Sequence, residues 1–534
     1  ESYPNCYFKQ TADIDLSGYT CWNALCGEYS SNGNPTNPFT GVYDGGNKKI
    51  KNFTIHSSES IEYAGLFGCV NSGTIKNLTV DGFSIRGATE NTPLNVFGLG
   101  IIATQIDNNS SITDCHITDS SAQNATYSSS IADVGPINSG LGVGGICYDN
   151  NGIITNCSVE KCQFKCLADN AQSVFIGGIC VENFGTITNC SLKEVIIDCS
   201  VNLQSGSEKI GGICVNNCFA TLTSCSLINS YISGSKGETG ALYVGGISAY
   251  HDSNESITSC EVQNSRVSGS GRGAYVGGIA AFSGEGRSIA TCSVKNGSLV
   301  DGTGNDCSVG GIGGNNLAVT NSYLDGSTVK VNGETCMIGG VCGKGLDITK
   351  CYVKDSDVFE TTSGSGGNVG GICGRNENNI ASCYLLNSNV SGTRYVGGIS
   401  GYLNYFGYAP IVSSCYVSED DNHSISKANS SGEVKLGYLV GLLYKNDSNP
   451  AFNAKIKDSF YNRTASNLSD LVYYVGNGTT NSAPPNDYGY AINCYGGINA
   501  TNFANQTWSN DAWSDYKTIN ATNWPPDLKE NPRP

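Results

Sequence analysis

Apolar and polar residues alternate along this chain in short runs, and the runs are parted by Gly, Asn and Ser. Alternation with period two places successive side chains on opposite faces of a strand. No stretch keeps helical periodicity long enough to form a helix bridging two strands. The runs also recur. An apolar residue followed by Gly-Gly-Ile/Val and a small residue is found at Gly144-Gly145-Ile146-Cys147, Gly177-Gly178-Ile179-Cys180, Gly211-Gly212-Ile213-Cys214 and Gly245-Gly246-Ile247-Ser248. It continues at Gly277-Gly278-Ile279, Gly310-Gly311-Ile312, Gly339-Gly340-Val341, Gly370-Gly371-Ile372 and Gly397-Gly398-Ile399, with a spacing of 27 to 34 residues. Weaker copies flank this series at Gly65-Leu66-Phe67-Gly68, Gly98-Leu99-Gly100 and Gly437 to Gly441.

A second column follows each copy. It carries Cys157, Cys190, Cys225, Cys260, Cys292, Cys351, Cys383 and Cys415, with Ser322 and Ser459 at the same place in two repeats. A looser third run follows, as in Ser265-Arg266-Val267-Ser268. Three short strands in each repeat, with no helix between them, are the pattern of stacked parallel coils. The pattern predicts an all-β fold, a right-handed parallel β-helix (β-solenoid) of about twelve rungs with three short strands each. Ile146, Ile179, Ile213, Ile247 and Ile279 are then a core ladder, and the paired glycines mark a bend or a close backbone approach. The expected organisation is an N-terminal module and cap at 1–110, regular repeats at 111–445, and a cap or tail at 446–534 with a possible role in assembly.

The first 80 residues carry a more particular pattern. Thr11-Ala12-Asp13-Ile14-Asp15-Leu16-Ser17-Gly18 precedes Phe39-Thr40-Gly41-Val42-Tyr43-Asp44-Gly45, then Gly65-Leu66-Phe67-Gly68 and Gly73-Thr74-Ile75-Lys76-Asn77-Leu78. This resembles the opening module of GLUG-motif repeat proteins, named for Gly-Leu-x-Gly. The resemblance implies a right-handed β-helix at a cell surface, adhesin-like in role. The cysteine column and the abundant sequons depart from the bacterial members and point to a eukaryotic surface protein.

Composition narrows the setting. Charged residues are 14% of the chain, against roughly 25% in ordinary globular chains. The net charge of −16 excludes nucleic acid as a partner, because phosphate binding needs a basic face. No run of about 20 apolar residues is present, so no membrane span is expected. The chain opens on Glu1, which reads as a processed product or a fragment. The 25 cysteines, with no Cys-x-x-Cys, and the 19 Asn-x-Ser/Thr sequons together predict an extracellular, secreted or cell-surface glycoprotein. Sequons at Asn52, Asn77, Asn124, Asn254, Asn296, Asn389, Asn446, Asn477 and Asn520 are candidates for covalent N-glycans.

Equivalent residues on neighbouring rungs lie about 4.8 Å apart, inside the Cα window for disulfides. Cys307 and Cys336 each sit three residues before a Gly-Gly, and Cys166 and Cys199 each nine residues after a column cysteine. Disulfides Cys307–Cys336 and Cys166–Cys199 are therefore expected. The main column reads instead as buried thiols that fill a core. Tyr352, Tyr384 and Tyr416 each follow a column cysteine, so alternation predicts an outward tyrosine ladder able to stack a sugar or another subunit.

Other chemistry finds little support. Cys21-x4-Cys26, Cys162-x3-Cys166 and Cys214-x3-Cys218 supply no four matched zinc ligands. Glu419-Asp420-Asp421, beside His423, reads as a solvated loop rather than a catalytic pair. Asp13, Asp15 and Asp44 suit turns and caps better than calcium. Gly269-x-Gly271-x-Gly273 opens no helix, and Gly343-Lys344 lacks the phosphate-loop spacing. No cofactor, metal or catalytic residue is expected. The expected role is a structural subunit of a filament, appendage or coat, partnered by its own copies or by other extracellular structural proteins. The alternative is a surface adhesin that binds glycans or a partner cell.

Overall fold

The computed structural model describes residues 6–492 apart from 20–23, 28–34, 58–60, 88–95, 120–129, 132–140, 167–172, 202–205, 238–239, 285, 363–365, 405–408, 419–423, 429–433, 444–453, 458, 463–472 and 476–490. Every regular element among the described residues is a strand, and every pairing is parallel. The strands stack as a parallel β-solenoid, as the repeat predicts. The chain packs as two compact units, Glu1–Gly271 and Arg272–Pro534.

Within the first unit the leading glycine of each copy stacks in one column, Gly65, Gly100, Gly144, Gly177, Gly211 and Gly245. In the second unit Gly277, Gly310, Gly339, Gly370, Gly397 and Gly437 do the same. These glycines do not have a positive φ. Their requirement is space. A Cβ on Gly144 would overlap the carbonyl of Cys147, and one on Gly145 the carbonyl of Gly178 one turn on. The chain folds back on itself over three residues there, and only glycine clears the approach.

Each turn is cut more finely than three strands. One turn of the first unit runs Val174–Gly177, Cys180–Asn183, Thr186–Thr188, Ser191–Lys193 and Ile196–Val201. The Gly-Gly bend divides the first expected run. The last two junctions each hold a single residue in the left-handed region, Asn189 at φ 54° and Glu194 at φ 55°. Asn156, Ser224, Ser259, Lys350, Ser382 and Ser414 take the same corner before a column cysteine. One residue with φ > 0 turns the chain without lengthening it, so the register survives.

Aliphatic ladders line the core. Ile146, Ile179, Ile213 and Ile247 are fully buried in the first unit, and Ile279, Ile312, Val341, Ile372 and Ile399 in the second. β-Branched side chains suit such a ladder, because they pack on a pleated surface with few rotamers to lose.

Candidate functional site

The residue after each left-handed corner points inward and needs a partner for its own polar group. Column thiols donate to the carbonyl two residues back: Cys157 to Thr155 at 3.3 Å, Cys190 to Thr188 at 3.4 Å and Cys383 to Ala381 at 3.3 Å. Ser322 does the same to Thr320 at 2.8 Å. The Cys292 amide donates to Ser322 Oγ at 3.1 Å, and the Cys415 amide to Ser459 Oγ at 3.2 Å. Thiol and hydroxyl are thus interchangeable here as small donor–acceptors. Burial pushes the thiols of Cys157, Cys225, Cys383 and Cys415 well above their ordinary range. Such thiols are neutral and poor nucleophiles or metal ligands. The column is the buried-thiol core that its sequence suggests.

The register sets Cys166 opposite Cys199, and Cys307 and Cys336 each stand one residue before the paired Ser308 and Met337. The alignment is the expected one, but no disulfide joins the described cysteines. Cys307 and Cys336 instead share an acceptor, the carbonyl of Gly304, at 3.0 and 3.3 Å. The Cys166 side chain lies outside the described residues.

The tyrosine ladder is where alternation puts it, yet it is not a surface. Tyr352, Tyr384 and Tyr416 are 1%, 2% and 0% exposed. Tyr323, Tyr352 and Tyr384 stack face to face, with centroids 4.7 and 5.0 Å apart and planes within 3° and 5°. Tyr352 is covered on both faces by its neighbours. Leu386 and Ser418 on the same flank are buried too. The expected sugar- or subunit-binding ladder is corrected to a buried stack.

Among the named sequons, Asn52, Asn254 and Asn296 are exposed. Asn52, Asn77 and Asn296 occupy left-handed corners at φ 56°, 55° and 58°. The amides of Asn52, Asn77 and Asn389 donate to Asp15, Asp44 and Asp357. Asn124, Asn446, Asn477 and Asn520 lie outside the described residues, as do Glu419, Asp420, Asp421 and His423. The N-terminal carboxylates take turn roles. Asp44 accepts from Tyr7, Asn77 and the Gly46 amide, which holds its acidity well below the usual carboxylate range. Asp13 pairs with Lys51, and Asp15 accepts from Ser17 and Asn52. No group of three His, Cys, Asp or Glu residues converges among the described residues.

One open site emerges beside the Gly-Gly bend. The fold-back brings the residue two before the first glycine against the residue seven further on. This makes a notch that the stacking repeats along each unit. The pairs are Tyr243 with Tyr250 at 6.2 Å, Tyr275 with Phe282 at 5.1 Å and Tyr395 with Tyr402 at 5.9 Å. In the first unit the notch is filled by the chain's own Lys209. Its ammonium lies 4.4 Å from the Tyr250 ring centre, 5.7 Å from Phe175 and 5.8 Å from Tyr243. Val181, Val215 and Ala249 form the floor.

In the second unit a cleft of about 460 Å³ lies open there. Met337, Asn368 and Tyr395 form one wall, and Arg375, Tyr402 and Leu442 the other. Asp306, Thr335, Gly366, Gly367 and Arg394 complete it. The two walls are two register columns, Met337↔Asn368↔Tyr395 and Arg375↔Tyr402↔Leu442. The bend forces them together. A Cβ on Gly374 or Gly401 at the floor would strike the facing backbone. The Arg394 guanidinium lies 4.8 Å from the Tyr395 ring centre, and that of Arg375 5.9 Å from Tyr402. Arg375 pairs with Glu377 at 2.9 Å, and Glu377 also takes Lys344 at 3.0 Å. Asp306 is engaged by Arg272 at 2.8 Å and by Thr335, and these hold its acidity below the ordinary range.

The lining offers flat aromatic faces, guanidinium, amide and hydroxyl groups. These are groups that can bind a small polar ligand. None of these residues was expected from sequence. The signal was present as aromatic residues seven apart around Val-Gly-Gly-Ile, in Tyr243/Tyr250, Tyr275/Phe282 and Tyr395/Tyr402. It becomes meaningful only once the fold-back is known.

No helix among the described residues is long and apolar enough to cross a membrane. No family model and no curated protein matches the chain. A crystal structure described as a candidate immunoglobulin A1 protease from Bacteroides ovatus shows similarity at 18% identity, over 61% of this chain and 71% of that one, with a TM-score of 0.27.

Proposed function

We propose that this chain is an extracellular structural β-solenoid, a glycosylated subunit of a cell-surface filament, appendage or coat of GLUG-like type. The observation that carries this reading is the use made of its reactive groups. Thiols and hydroxyls that would serve chemistry elsewhere are held in hydrogen bonds to the carbonyl two residues back, as at Cys157, Ser322 and Ser356. Stacked coils end in open strand edges, which must be capped or paired with another copy. Sizing with light scattering and negative-stain imaging of the purified protein tests the proposal. Concentration-dependent end-to-end particles are the expected result. A monomer at every concentration overturns it.

A second reading, a surface adhesin that binds glycans, is favoured by the open cleft of the second unit. Tyr395, Tyr402 and Asn368 present there the ring faces and amide that sugars use. Titration with a panel of oligosaccharides, followed by ligand-observed NMR, distinguishes it. Adhesion predicts saturable binding that is lost in Tyr402→Ala.

A further inference from the structure

We propose that the cleft of the second unit selects carboxylate-bearing sugars, with the acid on Arg394 and a pyranose ring on the Tyr395/Tyr402 pair. The inference rests on the adhesive reading and gives it a ligand class.

Charge singles the cleft out. The chain has 46 acidic and 30 basic residues, yet this lining has two arginines and one aspartate. That aspartate, Asp306, is already bound by Arg272 and Thr335. Arg375 shares Glu377 with Lys344, and its Nε is buried without a hydrogen-bond partner among the described residues. Arg394 is different. It is exposed, and among the described residues its guanidinium has no carboxylate partner, only the Tyr395 ring against it. An aromatic face under a guanidinium holds it flat and leaves its N–H edge for a planar anion.

The placement of the open charge limits the ligand. The exposed Arg394 guanidinium suits one carboxylate in a bidentate pair. A polyanion such as nucleic acid needs several cations and would meet the repulsion of a chain carrying −16. The remaining lining is that of a sugar site. Tyr395 and Tyr402 are half-buried with rings 5.9 Å apart and tilted by 47°, so one ring can carry the apolar face of a pyranose. Asn368 supplies an amide within the same walls. A volume of about 460 Å³ falls within the range of small-ligand sites, roughly 300–1,000 Å³. The notch of the first unit supplies an internal comparison. There the cationic group seated among aromatic rings is the chain's own Lys209, whose ammonium is bound to Asn216 at 2.9 Å.

Calorimetry on the full chain with digalacturonic acid and with sialyllactose tests the proposal, since free uronate polymers and sialylated surface glycans share the carboxylate. Digalacturonic acid methyl ester and lactose are the neutral controls. At least one acid should bind, and its neutral control should bind about tenfold more weakly or worse. Arg394→Ala should remove that preference, and Arg394→Lys should retain part of it because charge survives without the fork. Circular dichroism checks that both variants fold, which the exposure of Arg394 favours. Equal binding of acid and neutral control, or an acid preference that survives Arg394→Ala, overturns the inference while leaving the adhesive reading standing. Absence of binding by all four sugars removes both.

Discussion

The backbone amide of Ser230 donates to the side-chain hydroxyl of Ser265 one turn further on, at 3.0 Å, and that hydroxyl donates in turn to the carbonyl of Gln263 at 2.7 Å. The relay repeats in the second unit, from Ser327 to Ser356 and from Ser356 to Ser388, both at 3.1 Å. A left-handed corner turns the backbone away from its ladder partner. The hydroxyl spans the gap and keeps a buried amide satisfied. Ser265→Ala should therefore cost about 1–3 kcal/mol, the penalty for a buried donor left unmade. Ser265→Cys should cost less, because thiols fill the equivalent role at Cys225, whose amide meets Cys260 Sγ at 3.4 Å. Chemical denaturation of the two variants checks the order.

The thiols should be largely inert in the native protein. Alkylation with iodoacetamide before and after denaturation, read by mass spectrometry, should label Cys6 first among the described cysteines. Cys6 is exposed, whereas Cys157, Cys190 and Cys383 are buried. Partly exposed Cys218 should follow slowly, because burial pushes its thiol up to about 11. Cys307 and Cys336 should appear as thiols in a non-reducing peptide map. Their joint replacement by Ser should change stability by roughly 1 kcal/mol, against the 2–4 kcal/mol typical of a lost disulfide. A bridged Cys307–Cys336 peptide would contradict this.

Stability should fall as pH rises through about 6, in part because of Asp149. Burial, and then the neighbouring Glu182, push its carboxyl up to about 6. A carboxyl raised in the folded state contributes stability that is full below its unfolded value, near 3.9, and is lost as pH rises through its folded value. Asp149→Asn should therefore stabilise the chain at pH 7.5 by about 1–3 kcal/mol and have little effect at pH 3.5. Thermal melts of both proteins across that range give the test.

Glycan occupancy should follow exposure. Expressed through a eukaryotic secretory pathway, Asn254 and Asn296 are expected to be modified most completely. Asn77 and Asn389, part-buried with amides held by Asp44 at 3.0 Å and Asp357 at 2.8 Å, should be modified least. Glycopeptide mapping after enzymatic deglycosylation measures each site. Equal occupancy at all four positions would show that these amide contacts do not limit modification.

The solenoid was legible in the sequence because a repeated coil stacks identical residues on one another. Period-two runs, Gly-Gly-Ile and the Cys column are one-dimensional records of that stacking. The thiol reading could also be made from sequence, because Ser322 and Ser459 stand in for cysteine and no half-cystine can be serine. Part of the sequon count has the same origin. Asn156 and Asn189 are corner residues whose following Cys-Ser completes a sequon, since Asn tolerates the left-handed region better than most residues.

What the tertiary structure decided was every question of which surface meets which. Alternation correctly put Tyr352 opposite Cys351, but only packing buries that flank. The Gly-Gly pair announced a bend, but not that a three-residue fold-back would bring Tyr395 against Tyr402. Arg394 then stands beside them with its guanidinium exposed. Local pattern sets the face on which a side chain leaves its strand. Whether that face meets solvent, another strand or a ligand depends on contacts distant in the chain.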